Sequence, residues 1–516
     1  MRRGRVLVPS NASHTSSQPP GQGRGGRRGM ECRDPSAFAL LCAAMFFVYS
    51  DQNLMAPNLS QIADFFGYDD DERDAKLGGQ ISVAFFLLGL PATLVIGLLC
   101  DVVQRKQVLV ATLVLGQGPC LLTVFVTEYW QLFALRALTG VAVGGALPLV
   151  YSIAGDLFPP TSRAYASAMV GICSSLGSMC GQGVAGFMGP TFGWRLPFAA
   201  VAAPGLVVAW LVHAFAEEPA RGVAEGQASG EDGDDTDARQ SDDSGDATGK
   251  NAAGSTEDGE PNARVTATRL ALDFARKSRS VVSRRTNVLG FLQGIPGCVP
   301  WSIISVFMND YLAVDKGLGV EAATSLLMCF GLGAMGGTVG GGVVGQRLYN
   351  ASPRYATSFM GAAAVAGIFP WLYLVHADDY DSSDEGAMTM KCVVAVCAGM
   401  LCSVTGVNVR AMTVNVNDPR ERGTAFAWFN LTDDLGKGFG PVLIAALIHG
   451  MGRRKAFELG FWFWVPCGAL CALCGLTVPA DEARVRRETE ARRRRRARGE
   501  GEAAALLGPK GGDKMV

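Results

Sequence analysis

The feature that most constrains this chain is a repeated one. Apolar blocks of about 20 residues or more recur a dozen times, separated by short clusters of charge. A block of that length matches a helix crossing a hydrocarbon core of roughly 30 Å. Lipid offers backbone groups no hydrogen-bond partner, and an α-helix satisfies its own. The pattern therefore predicts an all-α integral membrane protein with the lipid bilayer as its solvent. Bulk composition hides this: 46 Lys and Arg against 47 Asp and Glu leave a formal net charge of −1. The charges sit in the tails, in one internal segment and between the blocks.

Six spans are expected at about 36–58, 78–100, 107–127, 130–152, 166–189 and 196–216. Six more are expected at about 287–309, 322–346, 355–376, 390–411, 424–449 and 457–478. The organisation is then a basic tail 1–35, a six-helix bundle 36–216, a linker 217–285, a second six-helix bundle 286–478 and a basic tail 479–516. The linker stretch EGQASGEDGDDTDARQSDDSGDATGKNAAGSTEDGEPN lacks large apolar residues and reads as disordered, because it cannot bury a core. RVTATRLALDFARKSRSVVSRR, which follows, is basic and sets Leu270 and Phe274 one helical turn apart. Residues 264–285 read either as a helix against anionic lipid or as an unstructured basic linker. The first 30 residues are rich in Arg, Gly and Ser without an apolar core, which fits a basic cytosolic tail or part of a transit peptide, not a secretory signal.

Lys and Arg in short loops set orientation. With both termini in the cytosol, the inner segments hold Arg105, Lys106, Arg163, Arg347, Arg354, Arg420 and Arg422, and the basic tails. The outer loops are acidic, FGYDDDERDAK after the first span and HADDYDSSDEG after the ninth. Arg453, Arg454 and Lys455 break the rule in the last outer loop.

GLLCDVVQRK at 97–106 follows the second span. Gly97 permits close helix approach, Asp101 at a helix end is placed to pair with a cation or to cap a neighbour, and Arg105 and Lys106 hold the loop inside. The stretch resembles the G-x-x-x-D-x-x-x-R-K loop of the major facilitator superfamily, where it acts as a conformational-switch loop. GGVVGQR at 341–347 stands in the equivalent place of the second half, with Gly345 in the acid's position. RALTGVAVGGALP from Arg136 and FGWRLPF around Arg195 also look like that superfamily.

Within it, the chain resembles the Spinster-like transporters and their plant and algal relatives. The resemblance rests on YSDQNLMAPNLSQIADFF at 49–66, DLFPPTSRAYASA, QGIPGCVPW and NVNDPRERGTAFAWFNLTDDLGKGFGP at 415–441. It implies twelve transmembrane helices in two pseudo-symmetric six-helix bundles, the major facilitator fold, with a central site. It also implies a monomer. Animal members export lysolipids and sphingoid phosphates. They usually carry Arg after the first-span Asp and Glu on the fourth span, where this chain has Gln52 and Val143.

Ionisable groups in mid-membrane are costly and mark candidate sites. Asp51, Arg136, Asp433, Asp434 and Lys437 are the candidates for a substrate or proton site. Each has a structural alternative: Arg136 as a lock of the first bundle, Asp51 as a hydrated group near the outer surface, and the DDLGK cluster as a lock of the second bundle. Lys437 lies one turn from both aspartates, so one acid is expected to pair with it while the other faces the cavity. Arg410 reads as a snorkelling interfacial residue. GLGAMGGTVGGG at 331–342 reads as close helix packing and not as a phosphate loop. The scattered cysteines, including the C-x-x-C of Cys471 and Cys474, suggest no disulfide framework. Nor do His14, His213, His376 and His449 suggest a metal site. No cofactor, enzymatic centre or nucleic-acid partner is expected. The function expected is transport of a small organic or amphipathic, lipid-like solute by alternating access, with proton coupling through the aspartates. The alternative is a receptor or scaffold on the same fold. Plasma membrane and endolysosomal or vacuolar membrane both fit, the latter suggested by EAAALL at 502–507.

A protease added to inside-out vesicles is expected to cut first between residues 225 and 260, leaving two halves of six spans each. Protection there, with cleavage from the opposite face, would overturn the orientation.

Overall fold

The structure, a computed structural model, describes residues 34–99, 103–158, 162–218, 263–378, 380, 385–418 and 421–506. The acidic linker stretch, Asp101 and Arg420 lie outside them. The described residues form helices joined by short turns, with no strand among them. Eleven helices are long and apolar enough to span a bilayer. In the first half these are Pro35–Phe66, Asp70–Thr93, Arg105–Phe125, Tyr129–Leu157, Tyr165–Phe192 and Leu196–Phe215. In the second they are Arg285–Asp315, Val320–Ala351, Pro353–His376, Gly386–Asn415 and Arg453–Ala491. The helix Arg422–Met451 completes the second set. Its own charges, Asp433, Asp434 and Lys437, lower its hydropathy. Two sets of six spans result, numbered here first to twelfth.

Local chemistry explains the breaks. Asp34 accepts from the backbone N–H groups of Ser36 and Ala37, both at 3.0 Å, and Pro35 opens the first helix. That helix stops at Gln52, passes through a 3₁₀ turn at Ala56–Asn58, and resumes as Leu59–Phe66. The seventh span, its counterpart, is also irregular, with π-helical stretches at Ile303–Phe307 and Tyr311–Asp315. A further π-helical stretch, Arg73–Gln80, lies in the second span. Such stretches are frequent at functional sites.

Two expectations change, and of the two readings of residues 264–285 the helical one is seen. The acidic loop after the first span is short: Asp70 already belongs to the second span, and Arg73 and Asp74 are buried at 6% and 1% exposure. The last span starts at Arg453 and its final helix, Trp464–Leu506, carries the basic stretch read as a tail. Pairs such as Arg484–Glu488 (3.0 Å) help that helix to continue beyond its apolar part. The basic linker segment is a helix, Ala263–Val282. It docks on the second half: Val281 is buried, and just beyond the helix buried Arg284 reaches Glu421 (2.7 Å) and Asn417 (2.6 Å).

Within each half, spans meet backbone to backbone. On the eighth span Gly333, Gly337, Gly341 and Gly345 repeat every fourth residue, so they form one stripe. A Cβ at Gly337 would overlap the Met400 carbonyl of the tenth span, and one at Gly345 would overlap Asn408. The second and fourth spans repeat this pairing, with Gly140 on Phe85 and Gly144 on Gly89. The glycine-rich run is therefore helix packing, as its spacing implied.

Turns after odd-numbered spans lie at one end of the bundle, called the acidic end here. The other end is the basic end. One apolar core crosses between halves and includes Leu54, Leu59, Leu77 and Ile81 with Ile303, Phe307 and Met308. These residues lie toward the acidic end. A second core, from Ala37 to Ala216, belongs to the first half alone.

Gly337→Ala is expected to destabilise by about 1–3 kcal/mol, because the added methyl meets backbone that cannot yield. Gly336→Ala, where nothing lies within 4 Å, is expected to be neutral or stabilising. Thermal unfolding in detergent, run on both, checks the contrast.

Candidate functional site

A cavity of about 950 Å³ lies between the halves. Phe85, Phe86, Met179, Trp301, Phe330 and Met335 give it apolar walls from both halves. Its lining runs from Leu59 and Leu77, near the acidic end, to Tyr151, Ser167 and Arg410. These last three lie within about 10 Å of the basic-end termini of their helices, at 1.5 Å per residue. The cavity is thus covered at the acidic end and reaches toward the basic end.

The eleventh span supplies the charged wall. Asp433 and Lys437 line the cavity. Lys437 Nζ lies 2.8 Å from Asp433 Oδ2 and 3.4 Å from Asp434 Oδ1. Cys298 Sγ, on the seventh span, donates to Asp433 Oδ1 at 3.2 Å. Gly436 and Gly440 bring the helix against Cys298 and Ser302, which fixes the rotation that turns Asp433 inward. The ammonium therefore bridges both carboxylates, and the acid that lines the cavity is the one it holds more closely. Arg410 also lines the cavity, its guanidinium 6.0 Å from the Phe429 ring. It was expected at the interface, yet it stands in the cavity wall. Asp433, Lys437 and Arg410 give a wall of both signs within an apolar chamber, suited to a polar group on an otherwise apolar ligand.

Asp51 and Arg136 form a separate, buried unit at 1% and 2% exposure. Arg136 Nη2 lies 3.1 Å from Asp51 Oδ1, and Cys120 Sγ donates to the same oxygen at 2.9 Å. The guanidinium carbon stands 4.8 Å from the Phe198 ring centroid. The pair therefore joins the first, third, fourth and sixth spans. A hydrated Asp51 near the surface does not match this burial. Arg136 also borders the cavity, beside Gln52 and Asn53.

Of the loop residues, Gly97 lies in the helix Ile81–Leu99, and Asp101 lies outside the described residues. Arg105 is buried and binds Asp156 (2.6 Å) and Glu218 (3.4 Å). The backbone N–H of Lys106 reaches Glu218 Oε2 at 3.4 Å. This ties the third span to the ends of the fourth and sixth. Among the described residues, no group of three or more His, Cys, Asp or Glu could hold a metal ion.

Sequence reading missed a second charged cluster at the acidic end. Arg453, one of the cations that broke the loop-charge rule, is buried and reaches across the halves to Asp74, with Nε to Oδ2 at 2.8 Å and Nη2 to Oδ1. Asp310 of the seventh span and Arg73 of the second complete the group. The exception to the charge rule was the signal that could have found it.

A sequence profile described as Major Facilitator Superfamily matches residues 41–384 and 386–509. The vacuolar membrane amino acid uptake transporter fnx2 of Schizosaccharomyces pombe is 31% identical over 120 residues, 23% of this chain and 20% of that relative. The inner membrane transport protein YnfM of Escherichia coli is 28% identical over 128 residues, 25% of this chain and 30% of the relative. These matches span less than a third of the relatives' length. Among solved structures, a bacterial homologue of the human lysosomal transporter Spinster, inward-facing and unoccupied, superposes with a TM-score of 0.64 at 17% identity. That superposition covers 86% of this chain and 97% of the other. A D-xylose–proton symporter gives 0.59 at 15% identity, covering 86% and 96%. The fold is shared with both, and by the profile match along nearly its whole length the chain belongs to the major facilitator superfamily.

Proposed function

We propose that this transporter carries an organic amphipath through the central cavity by alternating access. The observation that carries the reading is a chamber between two six-helix halves, covered at one end, whose apolar walls hold Asp433, Lys437 and Arg410. Scaffolding has no use for such groups, because charge in a lipid-depth wall is costly. Relatives named for amino acids and purine ribonucleosides show how varied the cargo of this superfamily is. The aromatic and methionine lining favours a ligand with a substantial apolar part.

The loop charges support a cytosolic basic end, which makes this state open inward. The helix Ala263–Val282 then lies on the cytosolic side, where its exposed Arg276 and Arg279 are placed to meet anionic headgroups. Asp433 is the group we assign to polar recognition or proton exchange. Asp434 is assigned to holding Lys437, and Asp51 to holding the first half together.

A panel of labelled solutes offered to proteoliposomes, with and without a pH gradient, tests the reading. Asp433→Asn is expected to lower uptake at least about tenfold at normal protein levels, and Asp434→Asn to lower it less. Asp51→Asn is expected to lower accumulation of folded protein, because it leaves Arg136 as an uncompensated buried charge. Normal transport by both Asp433→Asn and Asp434→Asn would overturn the assignment.

A further inference from the structure

We propose that Ser175, Ser178 and Gln182 of the fifth span, with Gln52 and Asn53 of the first, form a binding site for a neutral sugar headgroup, so that the cargo is a glycosylated amphipath. The inference rests on the transport reading and deepens it by naming the polar part of the ligand.

Packing against the first span turns these groups inward. Gly177 and Gly181 of the fifth span lie one turn apart, where a Cβ would overlap the carbonyls of Phe46 and Ser50. The Ser50 hydroxyl donates to the Gly177 carbonyl at 3.0 Å and holds the joint. With that face fixed, Ser175, Ser178 and Gln182 fall on another, within about 60° of one another around the helix. All three line the cavity. They extend over about 10 Å at 1.5 Å per residue, room enough for a sugar ring. Gln52 ends the first helix, Asn53 caps it, and both join the same lining.

Among the described residues, none of these five side chains hydrogen-bonds another protein group. Arg136, at 2% exposure and bordering the same cavity, has an Nε without a protein partner as well. Buried polar groups left unpaired are costly, so this wall suits a ligand that supplies the partners. Hydroxyls and amides both donate and accept, as sugar hydroxyls require. Net charge points the same way. The charged side chains of the lining are Arg136, Arg410, Asp433 and Lys437. Asp51 cancels Arg136, and Asp433 with Asp434 exceeds Lys437 by one negative charge, which Arg410 balances. The chamber therefore holds no surplus charge for an ionic headgroup to neutralise, and an uncompensated ion at this depth is costly. The fifth and eleventh spans both begin at the basic end, at Arg163 and Arg422. Ser178 and Lys437 then stand at the same depth, about 22 Å along each helix. A sugar between them donates to the Asp433 carboxylate, accepts from the Lys437 ammonium and shares its other hydroxyls with the serines and Gln182. The Trp301 ring in the same lining suits the apolar C–H face of that sugar.

Equilibrium binding to the full chain in lipid nanodiscs tests the assignment. The tritiated probes share one tail: octyl β-D-glucoside, octyl sulfate and octyltrimethylammonium, each below its micelle concentration, with empty nanodiscs as background. The glucoside is expected to bind about tenfold more tightly than either ion, because an ionic head enters without a counter-charge. No preference for the glucoside overturns the proposal. Ser178→Ala with Gln182→Leu is expected to weaken glucoside binding about tenfold and to leave octyl sulfate unchanged. Equal weakening of all probes, or of none, overturns it, because the stripe would then shape the chamber without recognising the headgroup. If the double variant does not accumulate as folded protein, Ser178→Ala alone, which only removes an oxygen, is expected to weaken the glucoside about threefold with the same selectivity; unchanged binding there overturns it too. Uptake of the same probes by proteoliposomes is scored separately. Selective glucoside binding without uptake of any probe strikes the transport reading and leaves the sugar site standing. Uptake confined to the ions strikes the sugar site and leaves the transport reading standing.

Discussion

A charge at bilayer depth has to find its counter-charge in protein, since lipid supplies none. The rest of this structure depends on that constraint. It explains why Arg136 crosses to Asp51, why Lys437 sits against two carboxylates, and why Arg453 turns inward to Asp74. These groups do different work because they sit in different surroundings. Asp51 and Arg136 pack against Cys120 and Phe198 and join four spans of one half. Asp433 and Lys437 satisfy each other along one helix and still face the chamber. The acidic-end group spans the two halves and is the one whose bonds depend on their relative position.

Much of the fold was legible because lipid enforces a simple code: an apolar block of sufficient length is a helix. Loop charge then gave an orientation to test, and the small residues of the eighth span announced a close pairing that Gly337 and Gly345 display. What hydropathy could not see was charge compensated across space. Arg73 and Asp74 look like loop residues until Asp310 and Arg453 are beside them, and those partners lie hundreds of positions away in sequence. For the same reason Arg410 looked like an interfacial arginine, although the tenth span turns it into the cavity. The candidate residues of the eleventh span were found by their oddity within an apolar run. Their division of labour, with Asp433 lining the chamber, depends on a helix rotation fixed by Gly436 and Gly440 against the seventh span.

The packing inside and between the halves differs in emphasis. Inside, the eighth and tenth spans and the second and fourth touch through glycines and backbone carbonyls. Such a joint has no side-chain rotamers to rearrange, so it transmits a push without absorbing it. Between the halves, the fifth and eighth spans meet closely where Gly186 faces Thr324, and elsewhere through methionine: Met328 lies against Gly183 and Met179 against Gly331, each at 3.4 Å from where a Cβ would stand. Methionine bends at several bonds and has a soft, polarisable sulfur, so it can keep contact while its neighbour slides. Two stiff blocks thus meet along a seam that is compliant where these methionines lie. Wear there, such as oxidation of Met179 or Met328 to the polar sulfoxide, would stiffen the slide while leaving both blocks intact.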